Sequence, residues 1–459
     1  MSKYNTSYGL FIALVSAMGG LLFGYDWVVI GGAKPFYESY FGIANSPSMQ
    51  GWVMGCAILG CLLGVMISGS LADKYGRKPL LIVSSVFFTL AAIGTGMANS
   101  IEWFIVWRIV GGVGIGVASN LSPIYIAEIS PSESRGKFVS INQLTIVVGI
   151  ILAQIANWQI AEPIIEGQDL LSSWNVQWGW RYMFWIGGIP AVLFFVLILV
   201  IPESPRWLVS QYKFAKAKSI FSRIGGEQFA SEEIELLKPT NSKEEKEKVS
   251  YKMLFEGKMP KILFLGIVMA VFQQWCGINV IFNYAQEIFS AAGYGVTDIL
   301  FNIVITGLTN LIFTFVGMYF VDKLGRRALM LFGAIGLSVI YAMLGACYYF
   351  EVTGVFVLIL VIAAIAVYAM TLAPVTWVVL SEIFPTRVRA MAMGVATFSL
   401  WTACFILTYT FPLLNNSLGA FGTFWLYGVV SLLGYIYLRL NLPETKGKSL
   451  EEIENELTK

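Results

Sequence analysis

The chain has 459 residues, 57% of them hydrophobic and only 13% charged, with a mean hydropathy of +0.72. Soluble domains carry roughly a quarter charged residues, so a water-soluble globular protein is excluded. The net charge of +2 gives no footing for nucleic-acid binding, and the absence of histidine removes histidine metal sites and histidine proton relays.

Apolar stretches of the length needed to cross a bilayer, about 20 residues, recur along the whole chain. They cover roughly 8–31, 50–72, 79–98, 102–127, 138–160, 180–201, 260–290, 299–321, 327–350, 353–380, 391–413 and 419–441. The sequence therefore predicts an all-α membrane protein with twelve transmembrane helices. The first stretch is too long for a signal peptide, lacks a convincing small-residue cleavage site, and is followed by eleven more. Cys56, Cys61, Cys276, Cys347 and Cys404 all fall in apolar segments and read as small packing residues, not a disulfide framework.

The first span carries the costliest residue. Asp26, in FGYDWVVIGG (Phe23–Gly32), follows an uninterrupted apolar run. Insertion scales place a central aspartate at about +2.5 to +3.5 kcal/mol, and intramembrane carboxylates mark ion pathways, proton relays or partner charges. The fourth span supplies a candidate partner. Arg108, in WRIVGGVG, is the one basic residue that fits no loop, and Gly111, Gly112, Gly114 and Gly116 let another helix approach closely. Desolvation would raise the Asp26 carboxyl pKa and Arg108 would lower it, so proton uptake would loosen the pair. A permanent structural ion pair is the other reading.

Orientation follows from the loops. With the N-terminus inside, only Lys34 and Arg181 of the thirty Lys and Arg fall in outer loops or at their edges, and Arg108 falls in the membrane. The remaining twenty-seven are cytoplasmic. The longest hydrophilic segment, about 202–259, divides the spans six and six and contains SEEIELL (Ser231–Leu237), consistent with short helices on the cytoplasmic face. The predicted organisation is an N-terminal bundle over 1–201, a linker over 202–259, a C-terminal bundle over 260–442 and a cytoplasmic tail over 443–459.

The halves repeat each other. GSLADKYGRKPL (Gly69–Leu80) matches MYFVDKLGRRAL (Met318–Leu329) at an offset of 249, and IAEISPSESRGK (Ile126–Lys137) matches LSEIFPTRVRAM (Leu380–Met391) at 254. Parallel repeats at half the chain length are the signature of many transporter folds. Asp73 and Arg77, with Glu128 and Arg135, and in the second half Asp322 and Arg326, with Glu382, Arg387 and Arg389, co-locate acids and bases in both halves. They are expected to form a cytoplasmic ion-pair gate. Simple anchoring of helix ends at the headgroups is the alternative.

Side-chain amides both donate and accept, and aromatic rings cover C–H surface. Together they suit an uncharged polyol. Gln143, Gln273, Gln274, Asn279, Asn310, Trp377 and Trp401 are such residues inside spans. A lone intramembrane amide commonly serves only as interhelical glue, worth roughly 0.6 kcal/mol. Three amides within seven residues, Gln273, Gln274 and Asn279, favour a binding site. A tryptophan near a span end, such as Trp377, otherwise reads as an interfacial anchor.

These motifs resemble the sugar porter family of the major facilitator superfamily, in the pattern of its bacterial sugar–proton symporters. The residues are FGYD (23–26), LADKYGRKP (71–79), WRIVGGVGIG (107–116), YIAEISP (125–131), GWRYMF (179–184), PESPRWL (202–208), FQQWCGIN (272–279), VDKLGRR (321–327), SEIFP (381–385) and PETKG (443–447). The resemblance implies the major facilitator fold, two six-helix bundles joined by short cytoplasmic helices. It also implies proton-coupled import of a monosaccharide by alternating access, not an enzyme, with no cofactor or metal. Gln143, Gln273, Gln274, Asn279, Asn310, Trp377 and Trp401, with Phe23 before GYD, match the family's sugar-site positions. Asp26 matches its proton site and Arg108 the partner. Further expectations are a monomer in a bacterial inner membrane with both termini cytoplasmic. An uncoupled facilitator is the near alternative, although facilitators typically carry a neutral residue at the Asp26 position. A sensor would need a longer tail.

Four departures stand out. Leu400 replaces an amide before Trp401, Asn283–Tyr284 replaces a tyrosine pair at the outer gate, Trp275–Cys276 follow the glutamine pair, and Ala373 precedes Pro374, where it is expected to stiffen the tenth span.

Overall fold

No water reaches the hydrocarbon core to satisfy backbone groups, so an apolar chain closes its own hydrogen bonds as helix. The computed structural model describes residues 5–130, 135–163, 170–237, 251–385, 388–448 and 450–458, and among these there is no strand. Eleven described helical stretches are long and apolar enough to span a membrane. The last, Met391–Asn441, runs 51 residues, about 77 Å at the helical rise and far more than one bilayer. Gly419, at φ 68° and ψ 175°, breaks it. Two spans result, close to the predicted 391–413 and 419–441, and the total is twelve.

By packing, the chain forms two compact units. The first takes residues 1–41, 56–161 and 169–245. Its helices are α1 (Thr6–Phe41), α2 (Pro47–Tyr75, whose first turns group with the second unit), α3 (Arg77–Met97), α4 (Ile101–Ile129), α5 (Arg135–Ile160), α6 (Trp180–Val200), α7 (Pro205–Ser210) and α8 (Phe214–Leu237). Glycines set the helix spacing. A Cβ on Gly24 would strike the Ile146 carbonyl of α5, and one on Gly149 the Leu21 carbonyl of α1. The glycines beside Arg108 serve a different neighbour. Gly112 and Gly116 meet the α2 backbone at Ala57 and Cys61, while Gly60 and Gly64 of α2 face Ile109 and Val113 in return. Small residues on both helices permit that approach.

The linker helices dock on this unit. Ser204 caps α7, accepting from the Trp207 N–H at 3.2 Å, and the Trp207 indole donates to the Asp73 carbonyl at 2.9 Å. α1 runs ten residues beyond its predicted end, to Gly42 at φ 68°. That corrects the placement of Lys34. It is not in an outer loop but buried in α1, 4% exposed, paired with Glu38 at 2.9 Å one turn on. Arg181 is also buried, at the start of α6. Its guanidinium donates to the Gly96 and Ala98 carbonyls at 2.7 and 2.9 Å and closes the end of α3.

The second unit takes residues 42–55, 162–168 and 246–459. Its helices are α9 (Met259–Trp275), α10 (Ile278–Asn283), α11 (Ala285–Ala291), α12 (Val296–Leu324), α13 (Arg326–Tyr349), α14 (Val355–Met370), α15 (Leu372–Ile383), α16 (Arg389–Asn441) and α17 (Leu450–Thr458). The seventh predicted span is broken between α9 and α10 at Gly277, in the left-handed region at φ 85°. The tenth is broken at Thr371 (φ −120°, ψ −86°). Ala373 therefore does not stiffen the tenth span, because the interruption falls two residues before it.

Replacing Gly149 with leucine should separate α1 from α5 and lower the yield of monodisperse protein in detergent several-fold. Gly69→Leu, where a Cβ has nothing within 4 Å, should fold normally. Size-exclusion chromatography of the two variants checks the contrast.

Candidate functional site

Asp26 and Arg108 meet inside the first unit. Arg108 Nη1 donates to Asp26 Oδ1 at 2.6 Å, with side-chain exposures of 4% for the arginine and 18% for the aspartate. The contact uses one carboxylate oxygen. Asp26 Oδ2 and Arg108 Nε are buried and have no hydrogen-bond partner among the described residues. The guanidinium also lies over the Phe184 ring, 5.6 Å from its centroid. The pair is therefore short but incompletely satisfied. Such a pair is sensitive to a change of protonation, because removing one charge leaves the other buried.

The amide residues of the second unit gather at the break in the seventh span. Gln274 Nε2 donates to Gln273 Oε1 at 2.8 Å, and Asn279 Nδ2 donates to Gln274 Oε1. Gly277 supplies the left-handed turn that folds α10 back so that Asn279 reaches Gln274. Its own Cβ position is closed by the Tyr427 ring. Gln273 Nε2 and Asn279 Oδ1 lie outside this chain of bonds, one donor and one acceptor at its ends. Asn279 Nδ2 also approaches Cys404 Sγ at 3.8 Å. The sequence marks Cys404 only as a packing residue. It lies one helical turn from Trp401, on the same face of α16.

Of the other candidates, Asn310 on α12 and Trp401 on α16 are buried, and Trp377 on α15 is 37% exposed. Gln143 on α5 and Phe23 on α1 belong to the first unit and are half-buried. Phe23 stands edge-to-face with Trp27, centroids 5.9 Å apart. Leu400 is buried without polar function. The Asn283 side chain is buried with Oδ1 unpartnered among described residues, while Tyr284 donates to the Thr408 carbonyl at 2.7 Å and lies against Phe411.

The repeated loop motifs build matching networks, each from one unit alone. In the first, Arg77 reaches Glu128 through Nε and Nη2 at 3.0–3.2 Å and Asp73 at 3.1 Å. In the second, Arg326 Nη2 donates to Glu382 at 3.1 Å. Arg389 donates to the Phe384 carbonyl at 3.1 Å. The side chains of Arg135 and Asp322, and residue Arg387, lie outside the described residues.

Sequence reasoning missed the acids that complete both networks. Glu203 Oε1 accepts from the backbone N–H groups of Arg77 and Lys78, capping α3, and the Ser204 hydroxyl donates to Glu128 at 2.5 Å. Glu444 accepts from Arg326 and Arg327 N–H, capping α13, and the Thr445 hydroxyl donates to Glu382 at 2.5 Å. The signal was present as Pro-Glu-Ser (202–204) and Pro-Glu-Thr (443–445), each closing its half, but these were read only as family markers. Gly76 (φ 103°) and Gly325 (φ 92°) admit the caps, since a Cβ there would strike Glu203 and Glu444. Burial pushes the Glu203 carboxyl above its ordinary pKa, against the three backbone N–H groups of Ser204, Lys78 and Arg77 that pull it down.

Comparison with known proteins agrees with this architecture. The profile of the family described as "Sugar (and other) transporter" matches residues 12–457, and the chain belongs to that family of multi-pass membrane transporters. Among its relatives, the arabinose-proton symporter of Bacillus subtilis is 36% identical over 98% of this chain and 96% of its own. The D-xylose-proton symporter of Escherichia coli is 35% identical over 99% and 96%. A solved structure of the xylose transporter from E. coli, in a partially occluded inward-open conformation, superposes with a TM-score of 0.83 at 34% identity, covering 96% of this chain and all of that one.

A raised carboxyl pKa adds stability at pH below the unfolded value, about 4.3 for glutamate, and that stability is lost as pH rises through the folded value. Thermal unfolding in detergent should therefore show wild type gaining on Glu203→Gln as the pH falls from about 7 to about 4. The opposite trend would mean that the three N–H bonds outweigh burial.

Proposed function

We propose that this protein imports a monosaccharide together with a proton by alternating access. The observation that carries the reading is the buried Asp26–Arg108 pair, held through one carboxylate oxygen while Oδ2 stays without a described partner. While Asp26 is charged, α1 and α4 are tied together. A proton on Oδ2 neutralises the carboxyl, weakens the tie and lets α1 shift against α4. The sugar is held by the amide chain Gln273–Gln274–Asn279, with Asn310, Trp377 and Trp401 of the same unit. Bound sugar and proton together then permit closure outside and opening inside.

The names of the two symporter relatives support sugar and proton as the cargo. An uncoupled carrier would have no use for an aspartate whose insertion costs about 2.5 to 3.5 kcal/mol. The two end networks act as the cytoplasmic gate. In this reading both termini face the cytoplasm of a bacterial inner membrane, and the protein works as a monomer.

In proteoliposomes, Asp26→Asn should retain sugar exchange and lose accumulation driven by an inward proton gradient. Undiminished uphill uptake in that variant would remove the proposal. Gln274→Ala, normally folded, should raise the sugar KM by about tenfold, the effect of one or two lost hydrogen bonds.

A further inference from the structure

A cavity of about 400 Å³ opens within the second unit, at the end away from the Arg326–Glu382 network. α16 starts beside that network and reaches the cavity only near its break at Gly419. Asn45 and Gln50, around the start of α2, Glu287 of α11, and Asn415 and Asn416 of α16 line it. The floor is a plate of two rings, Tyr284 and Phe411, with centroids 4.4 Å apart. The plate is fixed because the Tyr284 hydroxyl is committed to the Thr408 carbonyl at 2.7 Å. Neither ring can swing without breaking a buried bond or a stack.

The composition of this wall is specific. Four amides, Asn45, Gln50, Asn415 and Asn416, bring donors and acceptors, one carboxylate accepts strongly, and two rings offer apolar faces. That mixture is poor for a lipid tail and thin in charge for a divalent cation. It matches a compact polyol, whose hydroxyls need paired donors and acceptors and whose C–H face needs an aromatic floor. The volume lies at the lower end of the small-ligand range, as suits a monosaccharide. The cavity is also in line with the amide chain. Cys404, which touches Asn279, and Phe411 are seven residues apart on α16, two turns or about 10 Å, and share one face of the helix. The Tyr284–Phe411 plate thus stands between the amide chain and the cavity.

We propose that this cavity is a second saccharide site, a waiting position on the outer side of the aromatic plate. The inference rests on the sugar-transport reading and adds a site to it. The role fits the departure at Asn283–Tyr284. With an amide in place of the first aromatic, a single tyrosine and Phe411 form the barrier, and the polar groups beyond it hold a sugar before the barrier moves.

The test is equilibrium dialysis of the full-length protein in detergent against radiolabelled D-xylose, D-glucose and L-arabinose. Wild type should bind at least one of these sugars in two classes of site. Gln274→Ala should remove one class. Asn45→Leu combined with Asn415→Leu should weaken the other by about tenfold and leave the Gln274-dependent class in place. Asn45→Leu alone, in an exposed loop, provides a milder variant with the same direction of effect should the double variant elute as aggregate. A single class in wild type, lost in Gln274→Ala, would overturn the second site and leave the transport reading standing. Two classes untouched by the asparagine variants would overturn the assignment to this cavity. Absence of binding by all three sugars would overturn both.

Discussion

The ion pair between Asp26 and Arg108 is the constraint around which the first unit is organised. Two charges at membrane depth have to be brought together and kept from lipid, and the helices that do so are held at close range by glycine. α1 lies against α5 through Gly24 and Gly149, and α4 lies against α2 through Gly112 and Gly116. Only one carboxylate oxygen is engaged, so the pair joins α1 to α4 while Asp26 Oδ2 stays without a partner among the described residues. A fully satisfied bidentate pair would hold the helices more firmly and respond less.

The second unit answers a different demand. Three of its intramembrane polar side chains are amides joined from Gln273 to Gln274 to Asn279. They sit where the seventh span is interrupted, which frees local backbone from the helix and lets Asn279 turn back on Gln274. Discontinuous helices recur in transporter folds, and the left-handed Gly277 is what allows this break. At the far ends of the helices the two halves share one construction: an arginine bridges to a glutamate, a second glutamate caps the next helix, and the residue after it donates its hydroxyl to the first acid and its N–H to the second. Duplicated chemistry at duplicated positions ties each helix end to its neighbours within its own unit.

Much of this was legible in the sequence, and what was not has identifiable causes. The twelve spans followed from hydropathy because a bilayer allows few alternatives. The Asp26–Arg108 pair followed because each charge was too costly to be there alone. Lys34 was misplaced because a lysine after two glycines looks like a loop, and nothing local shows that Glu38 will neutralise it one turn later inside the same helix. Arg181 was put at a loop edge because carbonyl acceptors at the end of another helix leave no mark in sequence. The breaks at Gly277 and Thr371 fall inside stretches whose overall hydropathy reads as single continuous spans. The capping roles of Glu203 and Glu444 depend on contacts more than a hundred residues apart, although the repeated Pro-Glu-Ser and Pro-Glu-Thr offered a clue.

The central claim is that Asp26 takes up the proton that accompanies the sugar. The most direct measurement follows proton uptake by the purified protein in weakly buffered detergent solution, with a pH-sensitive dye, on addition of a saturating sugar. The account requires that wild type takes up a proton as sugar binds and that Asp26→Asn binds sugar with no uptake. Equal proton uptake by both proteins would contradict it.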